Sequence, residues 1–293
     1  IMAIVLLFGA KNIYIWLDPK EMAHDAVLMA KHAYLNWEFF VVRTVIFIGL
    51  WLIFSKLIIG NSIKQDQTGD EKLTVRNAAL SVAFVLIFSL SFSLFSVDTM
   101  MSLEPHWYST IFGIYCFSGL FQSSLALITI ITVFLVNKGL LRGLVNESHL
   151  HDLGKFMMAF TVFYAYIAFS QFMLIWYANL PEETIFYLNR ANGAWLFISW
   201  SILIFKFIVP FLLLLPKWAK RSHSQLVLVG FIILIMQYVD VYWLVYPNLD
   251  SNTALFGWQE IGIFLGFAGL FILMITRFLA KNNLVPIRDP RIQ

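Results

Sequence analysis

Long apolar stretches occupy most of this chain and decide what it can fold into. About 20 consecutive apolar residues suffice to cross the ~30 Å hydrocarbon core of a bilayer as a helix. Hydrophobic residues make up 60% of the 293 positions and charged residues only 13%, unlike soluble proteins. Eight such stretches occur, at residues 1–17, 39–59, 77–97, 110–136, 156–177, 192–215, 226–246 and 258–279. The sequence therefore predicts an all-α integral membrane protein with about eight transmembrane helices.

The first of these stretches differs from the others. It is short for a span and carries Lys11 and Asn12, and the chain opens at Ile1 rather than at a methionine. We therefore expect the natural protein to continue upstream. Since no linker-like or low-complexity segment interrupts the chain, residues 1–293 are predicted to form a single polytopic membrane domain.

The segment between the first two stretches, residues 18–38, is longer than a turn requires. Apolar residues recur in it near helical spacing, at Met22, Ala26, Met29 and Ala33. Such a pattern predicts a short helix on the membrane surface.

Basic residues are concentrated in alternate loops. Fourteen of the 20 lysines and arginines lie on one side: Lys56, Lys64, Lys72, Arg76, Lys138, Arg142, Lys155, Lys217, Lys220, Arg221, Arg277, Lys281, Arg288 and Arg291. Since loops rich in lysine and arginine stay in the cytoplasm, these loops and both chain ends are predicted to be cytoplasmic. The opposite, outer loops, which include segment 18–38, are predicted to be periplasmic.

Tryptophan is also distributed unevenly. Seven of the ten tryptophans fall at or near the predicted outer ends of spans: Trp16, Trp37, Trp107, Trp176, Trp195, Trp243 and Trp258. This predicts an interfacial aromatic belt, or an outer face that meets a partner subunit or an aromatic ligand.

A buried cation and a proline mark the sixth stretch as functional. Lys206 lies well inside this apolar run, where a charge costs roughly 2.5–3.5 kcal/mol on insertion scales. Pro210 follows four residues later and has no N–H to donate to the carbonyl of residue 206. The helix is therefore predicted to kink there, with that carbonyl free, as in polar pathways through membranes.

Three further charged residues lie within predicted spans. Arg43 and Glu260 lie near the outer ends of the second and eighth stretches, and Asp240 lies in the outer part of the seventh. Because buried charges pair or face water, we expect Arg43 to meet Asp240 or Glu260. The pair would either belong to a proton path or be a static, structural ion pair.

The richest polar cluster follows the third stretch. Asp98, Glu104 and His106 lie within nine residues of one another. Carboxylates and imidazole can accept the protons released when a quinol is oxidised. The other interpretation is a plain turn, with Ser109 or Thr110 capping the next helix.

Several kinds of chemistry are excluded by residues that the chain lacks. None of the six histidines lies in the middle of a span, and Cys116 is the single cysteine. Axial histidines for a membrane haem and cysteines for an iron–sulfur cluster are therefore missing. We expect no metal or covalently bound cofactor and no nucleic-acid partner.

Two stretches resemble a known family. The run DTMMSLEPHWYSTIFGIY, residues 98–115, is similar to membrane subunits of alternative complex III, a bacterial quinol:cytochrome c oxidoreductase. Residues 31–36 (KHAYLN) and 39–43 (FFVVR) resemble a second stretch of this family. The likeness is strongest to its ActF-type subunits, which are NrfD-like (polysulfide-reductase-like), and it extends from about residue 18 onward.

The resemblance implies a fold and a set of partners. It implies two antiparallel four-helix bundles with additional helices, beside a second NrfD-like membrane subunit, an iron–sulfur subunit and c-type haem subunits. Haem and iron–sulfur centres would belong to those partners, while this chain would hold lipids and, as its only cofactor, a quinone (menaquinone or ubiquinone). Asp98, Glu104, His106 and Arg43 are the motif positions that it carries over.

The predicted function is that of a non-redox subunit of a quinol-oxidising complex in the bacterial cytoplasmic membrane. The subunit would face the quinone, conduct protons, or do both. A stand-alone ion-coupled secondary transporter is the first alternative, although Pro210 has no counterpart in the earlier spans, as paired broken helices would require. The second alternative is a purely structural membrane anchor for redox subunits.

Overall fold

The computed structural model describes residues 2–141, 143–248 and 257–291, and it is helical, with no strand among these residues. The helices, in chain order, are α1 (Met2–Ile13), α2 (Pro19–His24), α3 (Ala26–Lys31), α4 (Trp37–Thr68), α5 (Lys72–Thr99), α6 (Phe112–Asn137), α7 (Glu147–Ala178), α8 (Pro181–Arg190), α9 (Gly193–Ser201), α10 (Val209–Leu214), α11 (His223–Val245) and α12 (Trp258–Lys281). A π-helical segment, Ile202–Ile208, joins α9 to α10. The prediction of an all-α membrane protein is confirmed.

Seven helical segments among the described residues are long and apolar enough to cross a membrane: Trp37–Thr68, Lys72–Leu103, Phe112–Asn137, Glu147–Ala178, Gly193–Leu214, His223–Asn248 and Trp258–Lys281. They coincide with the second to eighth predicted stretches. The first stretch is instead the 12-residue α1 followed by a 3-10 turn, Ile15–Leu17. Twelve residues extend only about 18 Å as a helix, which is less than a full span.

The predicted surface helix between residues 18 and 38 is two short helices instead of one. Asp25 divides them, because its carboxylate accepts hydrogen bonds from the N–H groups of Val27 (2.8 Å) and Leu28 (3.2 Å) and so begins α3. Asp18 begins α2 in the same way through the N–H of Lys20 (2.9 Å). Aspartate at an N-cap supplies an acceptor that the first turn of a helix lacks.

Two compact units can be distinguished, with their division inside α4 and α5. The first contains Ile1–Val41 and Phe92–Ala254, and the second contains Val42–Ser91 and Leu255–Gln293.

The first unit is built around α6, α7, α10 and α11. Small residues let these helices approach closely, as is common between membrane helices. A Cβ atom added to Gly230 would lie 2.9 Å from Ile130, and one added to Gly154 would lie 2.9 Å from the side chain of Lys220. Lys220 in turn donates hydrogen bonds to the carbonyls of Leu214 (2.6 Å) and Leu215 (2.9 Å), so a buried cation caps the end of α10.

Most of the predicted aromatic belt lies inside the first unit. Four of the seven tryptophans are buried in its apolar clusters: Trp16, Trp107, Trp195 and Trp243. The belt prediction is wrong for these four. Their indole rings pack against other aromatic rings of the chain, as where Trp107 stacks on Phe186 at 4.1 Å between centroids.

The second unit contains most of α4 and α5 together with α12. Trp51 of α4 donates from Nε1 to Ser91 Oγ of α5 at 2.9 Å, and Gln65 donates to Thr74 Oγ1 at 2.6 Å. The C-terminal tail returns to α4, where Asp66 accepts a hydrogen bond from the N–H of Ile287 at 2.8 Å. Helix α12 buries no residue, so its apolar surface is available to lipid or to another membrane protein.

Candidate functional site

Lys206 and Asp240 form a buried ion pair in the first unit. Lys206 Nζ lies 2.6 Å from Asp240 Oδ2, and the two side chains are 0% and 2% exposed. The sequence singled out each residue by its depth but predicted that Arg43 would meet either Asp240 or Glu260. In the structure the cation beside this carboxylate is Lys206, which the π segment brings against α11.

Two tyrosine hydroxyls complete the coordination of Asp240. Tyr115 of α6 and Tyr164 of α7 donate to Asp240 Oδ1 at 2.5 and 3.0 Å, and the two hydroxyl oxygens lie 3.0 Å apart. The ammonium of Lys206 also lies 3.8 Å from the centroid of the Tyr164 ring, a cation–π contact. We call Lys206, Asp240, Tyr115 and Tyr164 the buried cluster.

Gln237 and Gly119 fix the position of Lys206. Gln237 lies one helical turn before Asp240 on α11, and its Oε1 accepts a hydrogen bond from Lys206 Nζ at 2.8 Å. A Cβ atom at position 119 would lie 2.8 Å from that oxygen and 3.4 Å from Lys206 Nζ. Glycine therefore leaves the space in which the ammonium and the amide meet.

The backbone is irregular at the depth of the buried cluster. The π segment Ile202–Ile208 contains Lys206 and ends two residues before Pro210, so the irregularity that Pro210 predicts extends over seven residues. π-Helical turns are rare and are frequent at functional sites. The carbonyl of Lys206, to which Pro210 cannot donate, accepts a hydrogen bond from Gln122 Nε2 at 3.3 Å. This carbonyl was predicted to be free, and the structure corrects that prediction.

Sequence analysis missed Tyr115, Tyr164, Gln122 and Gly119. A signal was nevertheless present on α6, where Tyr115, Gly119 and Gln122 are spaced i, i+4 and i+7 and so share one helical face. Polar side chains on one face of an otherwise apolar span face the protein interior more often than lipid.

A cavity of about 620 Å³ adjoins the buried cluster. Tyr115 and Tyr164 belong to its wall, and the wall is otherwise mostly apolar and aromatic. Phe169, Phe172 and Trp200 line it and are also exposed on the surface of the unit. The cavity is therefore reached from an apolar flank of the chain, and it has the size of a site for a small amphipathic molecule.

One polar group inside this cavity has an unused acceptor. Gln171 is 3% exposed and donates from Nε2 to the hydroxyl of Tyr187 at 3.4 Å. Its Oε1 is buried and has no hydrogen-bond partner among the residues that the structure describes. A buried carbonyl without a donor is costly, so the amide of Gln171 lowers the stability of this part of the wall.

The polar cluster at the C-terminal end of α5 is a turn, but without the predicted cap. Helix α6 begins at Phe112, and its N-cap is Ile111, which makes no side-chain hydrogen bond. Ser109 contributes only its main-chain carbonyl, which accepts from the N–H of Phe112 at 3.3 Å. The prediction of a Ser109 or Thr110 cap is therefore wrong.

The three polar residues of this cluster have different surroundings. Asp98 is 1% exposed, and Glu104 lies 3.7 Å from Arg190. His106 contacts the carboxylate of Asp25 through Nε2. Hydrogen bonds from His106 and from two backbone N–H groups lower the pKa of Asp25, although burial opposes them. Arg190 is buried beside Glu104.

The two remaining candidates lie in the second unit. Arg43 is buried within α4. Glu260 lies in the first turn of α12, where its Oε2 accepts a hydrogen bond from the N–H of Gly257 at 2.8 Å. This contact is a capping interaction, and the pairing of Arg43 with Glu260 stays a prediction.

Within residues 2–141, 143–248 and 257–291, no group of three or more His, Cys, Asp or Glu side chains could hold a metal ion. Comparison with known proteins found no matching family model and no matching curated protein. The resemblance to subunits of alternative complex III therefore stays a prediction.

Proposed function

We propose that this chain is an integral membrane subunit of a quinol-oxidising respiratory complex, and that its buried cluster handles protons during turnover. The observation that carries the proposal is the Lys206–Asp240 pair, buried at the depth of a π segment and bonded to two tyrosine hydroxyls. Ionisable groups at membrane depth are costly to maintain and mark ion or proton paths. The membrane would be the bacterial cytoplasmic membrane.

The cluster has the parts that a proton relay needs. Asp240 accepts from three donors, an ammonium and two hydroxyls. A proton that reaches one of these groups can be passed along the chain of hydrogen bonds with small movements of hydrogen atoms. A transfer from Lys206 to Asp240 leaves an amine and a carboxylic acid, with the number of protons and the net charge of the pair unchanged. A proton that arrives from outside the pair would then protonate the amine and leave both groups protonated, and its release would restore the pair.

The cavity supports a quinone-facing role for the same site. A quinol has hydroxyl groups on an apolar ring, and the cavity offers aromatic walls with two tyrosine hydroxyls in contact with Asp240. A quinol in the cavity would therefore lie within reach of groups able to take its protons.

The electrons would leave through partners. Following the resemblance, we propose a second NrfD-like subunit, an iron–sulfur subunit and c-type haem subunits beside this chain. The segment around α2 and α3 and helix α12, which buries no residue, offer surfaces for such neighbours.

Purification through a tag on this chain in mild detergent tests the proposal. We expect c-type haem to be visible in the absorption spectrum of the preparation, and mass spectrometry to identify iron–sulfur and haem subunits. A colourless, isolated chain would contradict the respiratory-complex proposal and favour a stand-alone transporter. A third outcome is that redox partners co-purify, but Lys206 and Asp240 can be neutralised without loss of turnover. That outcome would favour the purely structural anchor.

A further inference from the structure

The C-terminal turn of α8 separates the cavity from a second, polar cleft of about 280 Å³. Arg190 lines the cavity, whereas Asn189 lines the cleft. Glu104 and His106 also line the cleft. The cleft lies among outer loops, on the side opposite the basic loops, so it is placed to exchange protons with the outer aqueous phase.

Arg190 is held in this wall by main-chain carbonyls. Its guanidinium donates to the carbonyls of Trp243 (3.0 Å), Phe186 (2.8 Å) and Leu244 (3.0 Å), and it lies 3.6 Å from the centroid of the Phe186 ring. Burial lowers the pKa of Arg190 to about 10, so the group remains a cation at neutral pH. Its position therefore depends on the backbone of α8 and α11 rather than on Glu104.

Glu104 meets this fixed cation without a hydrogen bond. Its Oε2 lies 3.7 Å from Arg190 Nη1, is buried, and has no hydrogen-bond partner in the part of the chain that the structure describes. Its side chain is 16% exposed, through the cleft. Burial raises the pKa of Glu104, against the opposing charges of Arg190 and His106. Such a carboxyl can gain or lose a proton while its surroundings stay in place.

We propose that Glu104 is the outer proton-exchange group of this chain, where a proton passes between the cleft and the wall of the cavity; this role rests on the proposed function. In each cycle the carboxylate of Glu104 binds one proton and then releases one proton. His106 lies at the mouth of the cleft, with Asp25 as its partner. Lys31 of α3 is directed to the neighbouring carbonyl of Pro105, at 2.5 Å. Arg190 and His106 are the charges that oppose protonation of Glu104.

A static ion pair is the competing role for Glu104, and it makes the opposite prediction. An ion pair that only closes the end of α11 would keep Glu104 a carboxylate at every pH at which the protein is folded. An exchange group becomes a carboxylic acid at a pH above the ordinary range of glutamic acid.

Infrared difference spectroscopy of the purified full chain, titrated with acid and base, separates the two roles. The wild type should show a carboxylic-acid C=O band that disappears above the ordinary pH range of glutamic acid. Glu104→Gln should lose this band, Glu104→Asp should keep a band with a shifted midpoint, and the exposed control Glu182→Gln should keep the wild-type band. A band that keeps the wild-type midpoint in Glu104→Gln, or the absence of such a titrating band in the wild type, would overturn the proposal.

This titration does not require partner subunits, so it can succeed or fail independently of the respiratory-complex proposal. In the intact complex, Glu104→Gln should lower the rate of quinol oxidation at least tenfold. Glu104→Asp should retain part of the wild-type rate, and the control Glu182→Gln should retain all of it. Full turnover of a correctly assembled Glu104→Gln complex would also overturn the role of Glu104, whatever the outcome for the buried cluster.

Discussion

Removing the charge of Lys206 is expected to destabilise the protein strongly, and removing Asp240 as well is expected to restore most of the loss. Lys206→Met leaves a carboxylate with two tyrosine donors but no cation, in a site that is 2% exposed. Breaking one side of a buried ion pair costs about 3–5 kcal/mol. Replacing both partners by neutral groups of similar volume is often close to neutral, and asparagine at 240 keeps an acceptor for both tyrosine hydroxyls.

The assay can use the single cysteine of the chain. Cys116 is buried, so a thiol-reactive dye reports its exposure on heating. For a chain of this size about 1 kcal/mol corresponds to a shift of ~2–4 °C in Tm, so Lys206→Met should lower Tm by about 6–20 °C. Asp240→Asn should also lower Tm, since it leaves the buried ammonium without a carboxylate. Lys217→Met is the matched control at an exposed lysine.

The double variant Lys206→Met/Asp240→Asn decides the matter. We expect its Tm to lie within a few degrees of the wild type, which corresponds to a coupling energy of ~3 kcal/mol or more. Additive effects, with a coupling below about 0.5 kcal/mol, are the behaviour of independent sites. Additivity would refute the conclusion that these two residues form one buried unit.

Two further substitutions test the surroundings of the buried cluster and the packing of α10. Gly119→Ala places a methyl group 2.8 Å from Gln237 Oε1, so overpacking should lower the free energy of unfolding by ~1–3 kcal/mol. At Gly49, where no atom lies within 4 Å of the added Cβ, the change to alanine should raise the free energy of unfolding by ~0.5–1 kcal/mol. Equal effects at the two positions would contradict the crowding at Gly119. Lys220→Met should lower the free energy of unfolding by ~1–3 kcal/mol, because the carbonyls at the end of α10 lose their donor. The control Lys217→Met should change the free energy of unfolding by less than ~0.5 kcal/mol. Thermal denaturation in detergent measures both effects.

The sequence predicted the spans well because each depends on local composition alone. Runs of apolar residues coincide with the seven helical segments, among the described residues, that are long and apolar enough to cross a bilayer. The departure at residues 1–17 follows from the length of α1, 12 residues. Lys206 and Asp240 could be identified by depth, since a charge in an apolar run stands out without knowledge of the fold.

The partners of these charges could not be predicted, because they depend on which helix faces meet. Asp240 lies 34 residues from Lys206 in sequence and 125 from Tyr115, and nothing local distinguishes Lys206 from Arg43 as its cation. The positions of the tryptophans were predicted incorrectly for a related reason. An indole at the end of a span has the same sequence context whether it faces lipid, as an interfacial belt would, or packs inside the chain, as Trp107 and Trp195 do.

Proton movement in proteoliposomes that contain the complex, compared for the wild type, Lys206→Met/Asp240→Asn and Lys217→Met, shows whether the buried cluster handles protons. The double variant is the right one to use, because it should assemble like the wild type while lacking both ionisable groups. We predict that the double variant moves far fewer protons per quinol oxidised, or loses turnover together with proton movement, while Lys217→Met matches the wild type. Unchanged proton movement and turnover in the assembled double variant would contradict the proposal that this cluster handles protons.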